Sequence, residues 1–278
     1  MSEAKIALGR RLFYDADLSI DGTMACSSCH EQHRGFADGN RTHAGVHGDP
    51  GRRNVPGLAN VAWRRVLTWG DPRTTTLEAQ AAIPLNGMTP VEMGMAEDGR
   101  ELARRLGRDA CYRRMFKAAF PATRGRIDQA SVIQALAAFQ RTLLSFEAPV
   151  DRGEAPAAGA AIFAVKCASC HAGHDYTDDR FHRLRPPSAA DRGAGEITGR
   201  FEDDGAFRTP SLRNVAVTGP WLHDGSAATL DAALAAHPGS DSADRPALIA
   251  FLQALTDRTF LADKRFGYPD DLCRPGSG

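Results

Sequence analysis

Cys26-Ser27-Ser28-Cys29-His30 and Cys167-Ala168-Ser169-Cys170-His171 are the two stretches that leave this chain the least freedom. In Cys-x-x-Cys-His, two thiols stand at the spacing at which each adds across one vinyl group of a haem. The adjacent histidine then reaches the iron as an axial ligand. One such pentad also fits a zinc or redox Cys-x-x-Cys that happens to precede a histidine, and two fit a pair of disulfides or a split zinc site. Two pentads far apart in one chain favour two covalent haem c groups. A haem is a large apolar core element, so an aromatic content of 7% suffices for packed cores.

The chain has 278 residues, room for two ordinary domains. With one pentad in each half, the expectation is an all-α fold of two cytochrome c-like haem domains with long irregular loops, residues 1–150 and 151–278. The boundary falls in the Pro/Gly/Ala-rich stretch 148–159 (APVDRGEAPAAG). Acidic and basic residues balance at 34 each, which gives no reason to expect nucleic acid or an anionic membrane as partner. No run of about 18 apolar residues suggests a membrane span. The opening residues lead straight into a helical pattern. Because covalent haem c attachment in bacteria takes place outside the cytoplasm, the expectation is a periplasmic chain whose signal has been removed. Cys111 and Cys273 remain outside the pentads, either paired or free.

Apolar periodicity predicts helices over residues 3–14, Thr76–Ala82, two within 98–120, Ile127–Phe146 with Asp128 as N-cap, Gly159–Lys166, Thr229–Ala236 and Arg245–Leu255. No strand run of useful length stands out. The halves repeat one plan of helix, pentad, loop and helix, with little residue identity beyond the pentads.

A six-coordinate haem iron carries electrons and a five-coordinate one binds small molecules, so the second axial ligand decides function. For the first iron, His33, His43 and His47 lie in the following loop, and His33 is too close to His30 to reach the opposite face. For the second, the choices are His174, Tyr176, His182, His223 and His237.

The chain resembles the bacterial dihaem cytochrome c peroxidase and MauG family. The likeness is carried in order by residues 8–30 (LGRRLFYDADLSIDGTMACSSCH), Arg53-Asn54-Val55-Pro56, Thr68-Trp69-Gly70-Asp71 with Leu77-Glu78-Ala79-Gln80, Pro90-Val91-Glu92-Met93, and residues 207–215 (FRTPSLRNV) and 219–226 (GPWLHDGS). The resemblance implies that the haem on His30 reacts with hydrogen peroxide. Glu92 and Gln80 would lie on its open face, the carboxylate moving a proton during O–O cleavage. Trp69 would relay electrons between the haems. The Asn54 side chain and the Thr218 and Pro220 carbonyls would hold Ca²⁺, a hard cation suited to oxygen donors. The haem on His171 would be the electron-transfer haem. The family's peroxidases ligate it with a methionine fourteen residues after the His-Asp-Gly histidine, and MauG uses a tyrosine. Here that position is His237, which implies His/His ligation and a lowered potential. His47 falls near the distal histidine of reductively activated peroxidases, whereas Gly35-Phe36-Ala37-Asp38-Gly39 is more similar to the MauG-type branch, whose first haem is open.

The resemblance thus implies a MauG-like, peroxide-dependent enzyme whose high-valent dihaem state oxidises a Trp or Tyr on a partner protein at a distance, with Trp63 and Trp221 as exit points. Two other readings stand beside it. One is a peroxide-scavenging dihaem peroxidase fed by a small redox protein. The other, not an enzyme, is a dihaem electron-transfer cytochrome.

Overall fold

The computed structural model describes residues 1–95 and 99–270. Among these the chain is helical, with a single two-stranded ribbon. Helix α1, Glu3–Phe13, starts where the Ser2 hydroxyl accepts the Lys5 N–H, satisfying an otherwise orphaned amide, and buries Leu8, Leu12 and Phe13. The short α2, Cys26–Cys29, carries the first pentad. Then come α3 (Leu77–Asn86), α4 (Gly99–Arg108), α5 (Ala110–Ala119) and α6 (Gln129–Gln140). The second half supplies α7 (Ala157–Lys166), α8 (Gly195–Thr198), α9 (Leu230–Ala235), α10 (Arg245–Gln253) and α11 (Arg258–Ala262). Strands β1 (Phe181–Arg183) and β2 (Ala206–Arg208) pair antiparallel, with Phe181 opposite Arg208.

Asp128 caps α6 as expected, its carboxylate accepting the Ser131 N–H. The helix nevertheless stops at Gln140, short of the expected Phe146. Asn60 draws the chain away there. Its N–H donates to Leu143 O at 2.8 Å, and its Oδ1 accepts the Ser145 N–H at 2.8 Å. Tertiary hydrogen bonds replace the helical ladder.

One helix crossing organises each half. Helix α1 meets α6 where a Cβ at Gly9 would overlap the Ala135 carbonyl oxygen, and Phe139 closes the contact. Helix α7 meets α10 in the same way, Gly159 against Ala247 with Phe251. Only glycine lets backbones approach so closely.

The repetition runs further than the pentads, which corrects the sequence reading. Pro56-Gly57-Leu58-Ala59-Asn60-Val61-Ala62 recurs as Pro210-Ser211-Leu212-Arg213-Asn214-Val215-Ala216. Asn60 and Asn214 each open a 3-10 turn from the left-handed region, at φ 58° and 61°. Thr76 and Thr229 cap α3 and α9 through equivalent hydroxyl bonds to Ala79 N and Ala232 N. The two asparagines meet at Ser145. Asn60 Nδ2 donates to its carbonyl, Asn214 Nδ2 donates to its Oγ, and that hydroxyl donates to Asp257. Such a satisfied buried network joins the halves in one arrangement.

Two apolar clusters result. The larger contains Phe13, Phe36, Phe116 and Phe139, and the smaller contains Phe163, Leu248, Phe251 and Leu255. Phe260 and Phe266, near the far end of the described chain, belong to the larger cluster.

Candidate active site

A cavity of about 910 Å³ is lined by both pentads, near the top of the ~300–1,000 Å³ range of small-molecule sites. His30 Nδ1–H donates to Phe36 O at 2.6 Å, and His171 Nδ1–H donates to Tyr176 O at 2.9 Å. Each bond fixes the tautomer that leaves Nε2 free for a metal. Burial pushes both imidazoles down, His171 to about 4, which favours the neutral ligating form. None of the four pentad cysteines is in a disulfide, so the reading of the pentads as disulfides fails. Cys111 is disulfide-bonded, and Cys273 lies outside the described residues.

The cavity wall fits a haem in a second respect. Arg64, Arg208 and Arg213 line it with side chains only 5%, 6% and 1% exposed. Asp175, Asp179 and Asp151 lie beside them, yet Arg64 Nη2 is left without a hydrogen bond. Burial pulls the Arg208 guanidinium down to about 10. A ligand with an apolar ring and carboxylate arms would suit such a wall, because it offers the Arg64 Nη2 an acceptor beyond its ion pair with Asp175.

Glu92, Gln80, Pro84 and Trp69 line the cavity together with the first pentad. A strap from Pro90 to Met95 presents Glu92. Met93 N–H donates to Pro84 O and Met95 N–H to Leu85 O, at 3.0 and 2.8 Å. Burial pushes the Glu92 carboxyl above its ordinary range. Trp69 Nε1–H donates to Asn54 O at 2.8 Å, and Trp69 O accepts the Arg208 N–H at 2.9 Å.

The loop histidines separate. His43 lines the cavity and donates from Nδ1 to the buried Asp38 at 2.8 Å, which is the main reason its pKa rises to about 10. His47 is exposed and away from the cavity wall, because Val46 N–H bonds to Glu92 O and turns the next residue outward. His33 is exposed beside Glu31.

At the second pentad, His237 lines the cavity and donates from Nδ1 to Ala233 O at 2.8 Å. Its ring centroid lies 6.4 Å from that of His171. That is close to the span of two imidazoles facing each other across one metal ion with bonds of ~2.0–2.1 Å, as at zinc. The repeated α3 and α9 put Pro84 where the second half has His237, and proline has no ligating side chain. His223 is instead stacked on Phe207, centroids 3.5 Å apart. Asn54, Thr218 and Pro220 all line the cavity. Asn54 Nδ2 donates to Asn40 O, which leaves Oδ1 for a cation.

Sequence reasoning missed the three arginines and the Pro84/His237 correspondence. The second had a signal in the matching Thr-Leu-acid-Ala helix starts. The arginines had none, since their partners come from distant segments.

The first part of the chain, residues 3–155, matches the model of the di-haem cytochrome c peroxidase family. The chain is 38% identical over 251 residues to methylamine utilization protein MauG of Methylorubrum extorquens, covering 84% of this chain and 68% of that protein. It is 39% identical over 236 residues to the MauG of Methylophilus methylotrophus, covering 80% and 68%. The solved structure of a MauG-like protein associated with microbial copper homeostasis superposes with a TM-score of 0.91 at 36% identity, over 97% of this chain and 94% of that one. With the family model spanning more than half its length, the chain belongs to the di-haem cytochrome c peroxidase and MauG family, haem c enzymes that act with peroxide.

Proposed function

We propose that this protein is a MauG-like oxidase that uses hydrogen peroxide to oxidise a Trp or Tyr on a partner protein without that residue touching iron. Residues 1–150 and 151–278 form its two haem domains. Cys26, Cys29 and His30 hold one haem c. Cys167, Cys170 and His171 hold the other, with His237 as its second ligand. When bound, haem iron supplies the redox chemistry that splits peroxide and stores its oxidising equivalents. Glu92 takes a proton from one peroxide oxygen and returns it to the departing oxygen, with Gln80 orienting the molecule. Trp69 lies on the wall shared by the two sites and relays electrons between them. Asn54, Thr218 and Pro220 hold Ca²⁺ between the halves. Covalent haem attachment places the protein outside the cytoplasm, and no helix among the described residues is long and apolar enough to cross a membrane.

The observation that carries this reading is the asymmetry of the repeat: His237 faces His171 at 6.4 Å, while Pro84 occupies the matching position beside Glu92. On this reading the site on His171 is closed, while the site on His30, beside which Asp38 holds His43, is free for peroxide. Imidazole in place of methionine lowers the potential of the second haem, which suits holding oxidising equivalents better than waiting with a spare electron. The lowered potential weighs against the scavenging peroxidase, and the open site against the carrier.

Electron paramagnetic resonance of the fully ferric protein, followed by rapid mixing with peroxide without reductant, tests the proposal. One high-spin and one low-spin signal with an immediate peroxide reaction are expected. A reaction that begins only after one-electron reduction would make it a reductively activated scavenger. Two low-spin signals and no reaction would make it a carrier.

A further inference from the structure

Outside the cavity, the most exposed redox-active side chain near the second pentad is Trp63, 54% exposed. It does not stand alone. Its ring packs on Phe146 at 5.5 Å between centroids. The Arg213 guanidinium lies 5.6 Å from Phe146 and 5.5 Å from Tyr176. The Tyr176 carbonyl accepts the His171 Nδ1–H. A ladder of successive contacts therefore runs from His171 of the second site through Tyr176, Arg213 and Phe146 to Trp63 at the surface.

The end of the ladder has a defined chemistry. Trp63, Leu144 and Phe146 are exposed together as an apolar patch, beside a recess of about 380 Å³ that also takes in Arg65, His174 and Arg180. The carboxylates that line the recess are committed. Asp175 pairs with Arg64, Asp179 lies against Arg64 and Arg208, and Asp178 bonds His182. The Arg65 and Arg180 side chains form no ion pair among the described residues. An aromatic centre with unspent cations at its rim fits a partner that presents an acidic rim around an aromatic residue.

We propose that Trp63 is the port through which electrons enter this protein, and that its face docks an acidic protein surface carrying an exposed Trp or Tyr. The inference rests on the remote-oxidation reading above. Trp63 loses one electron inward and becomes an indole radical cation with its Nε1 proton retained, stabilised by water. The docked aromatic returns one electron to it and releases its own proton to solvent. Two such events supply the two electrons and two protons with which one hydrogen peroxide becomes two waters. Tyr176 is a poor resting place for the hole, because its hydroxyl has no hydrogen-bond partner among the described residues to receive the phenol proton.

The test uses the haem-loaded protein and two synthetic peptides, each with one Trp, flanked by aspartates or by lysines. Peroxide is added with a nitrone spin trap, and adducts are mapped by mass spectrometry. Separately, peptide oxidation is timed for the wild type, Trp63→Phe, Arg65→Glu and, as a control, Phe201→Ala, whose ring is exposed elsewhere. Visible spectra confirm that each variant keeps both haems. We expect the adduct on Trp63, at least ten-fold slower oxidation of the aspartate peptide in Trp63→Phe, loss of preference for that peptide in Arg65→Glu, and no change in Phe201→Ala. An adduct confined to other residues, or wild-type peptide oxidation by Trp63→Phe, overturns the port. If Trp63 is labelled and neither peptide is oxidised, while a reduced small cytochrome added in a parallel reaction is, the remote-oxidation reading fails and the port stands as the donor's entry point.

Discussion

Glu92 is half-buried within a short strap, facing His43 and the first pentad, and desolvation raises its carboxyl pKa. A base must be ionised to take a proton. The peroxide reaction should therefore lose rate as pH falls through a value above the ordinary ~4.3 of glutamate. Glu92→Gln should remove that acidic limb and slow the reaction by ~10²-fold or more, read by stopped-flow absorbance across pH. An unchanged profile would exclude Glu92 from proton transfer. His237 invites a spectroscopic check. His237→Ala should turn the second haem from low to high spin, and added imidazole should restore it. A low-spin signal that survives the substitution would mean another group is the ligand. At this scale the pentads were legible because attachment chemistry is local, and the nearness of His237 to His171 could be expected from its spacing after His223. The Arg64, Arg208 and Arg213 wall was not, since a buried guanidinium is defined by partners brought from elsewhere in the chain. His47 looked well placed by spacing, but one backbone hydrogen bond, Val46 N–H to Glu92 O, settles which way the loop faces.

The helix crossings are where single atoms matter most. A methyl group at Gly159 would meet the Ala247 carbonyl oxygen, and α7 could only back away. Gly159→Ala should cost about 1–3 kcal/mol, the usual range for overpacking, read as a lower melting temperature. It should also broaden the low-spin signal of the second haem while the high-spin signal stays sharp, because α7 delivers Cys167. Equal damage to both signals would show that the crossing supports the whole molecule and not one site. Most helices were readable from their 3.6-residue apolar period, and the Asp128 cap from its side chain. The end of α6 was not, because Asn60 and not any local breaker terminates it. Nor was the repeat of Pro-x-Leu-x-Asn-Val-Ala, whose matches are scattered among unlike neighbours and gain meaning only when both asparagines are seen to share a left-handed turn.

For the molecule as a whole, the helical fold class followed from periodicity and the lack of strand runs. That the halves share one cavity and one polar network did not, since each contact there joins distant residues. Without haem, so large an apolar hollow lined by buried arginines should leave the chain loosely packed. Protein made with all four pentad cysteines changed to serine should melt well below the haem-loaded form and bind a hydrophobic dye such as ANS. A sharp, high melting transition without dye binding would show that the fold stands without its cofactor. The larger core also borrows Phe260 and Phe266 from the end of the described chain. Phe36, whose carbonyl holds His30, packs on Phe260, and Phe260 on Phe266, so the support behind the first pentad is completed by residues more than two hundred positions further along the chain. A chain cut short before Phe260 would keep Cys26, Cys29 and His30 and still lack the packing that steadies them.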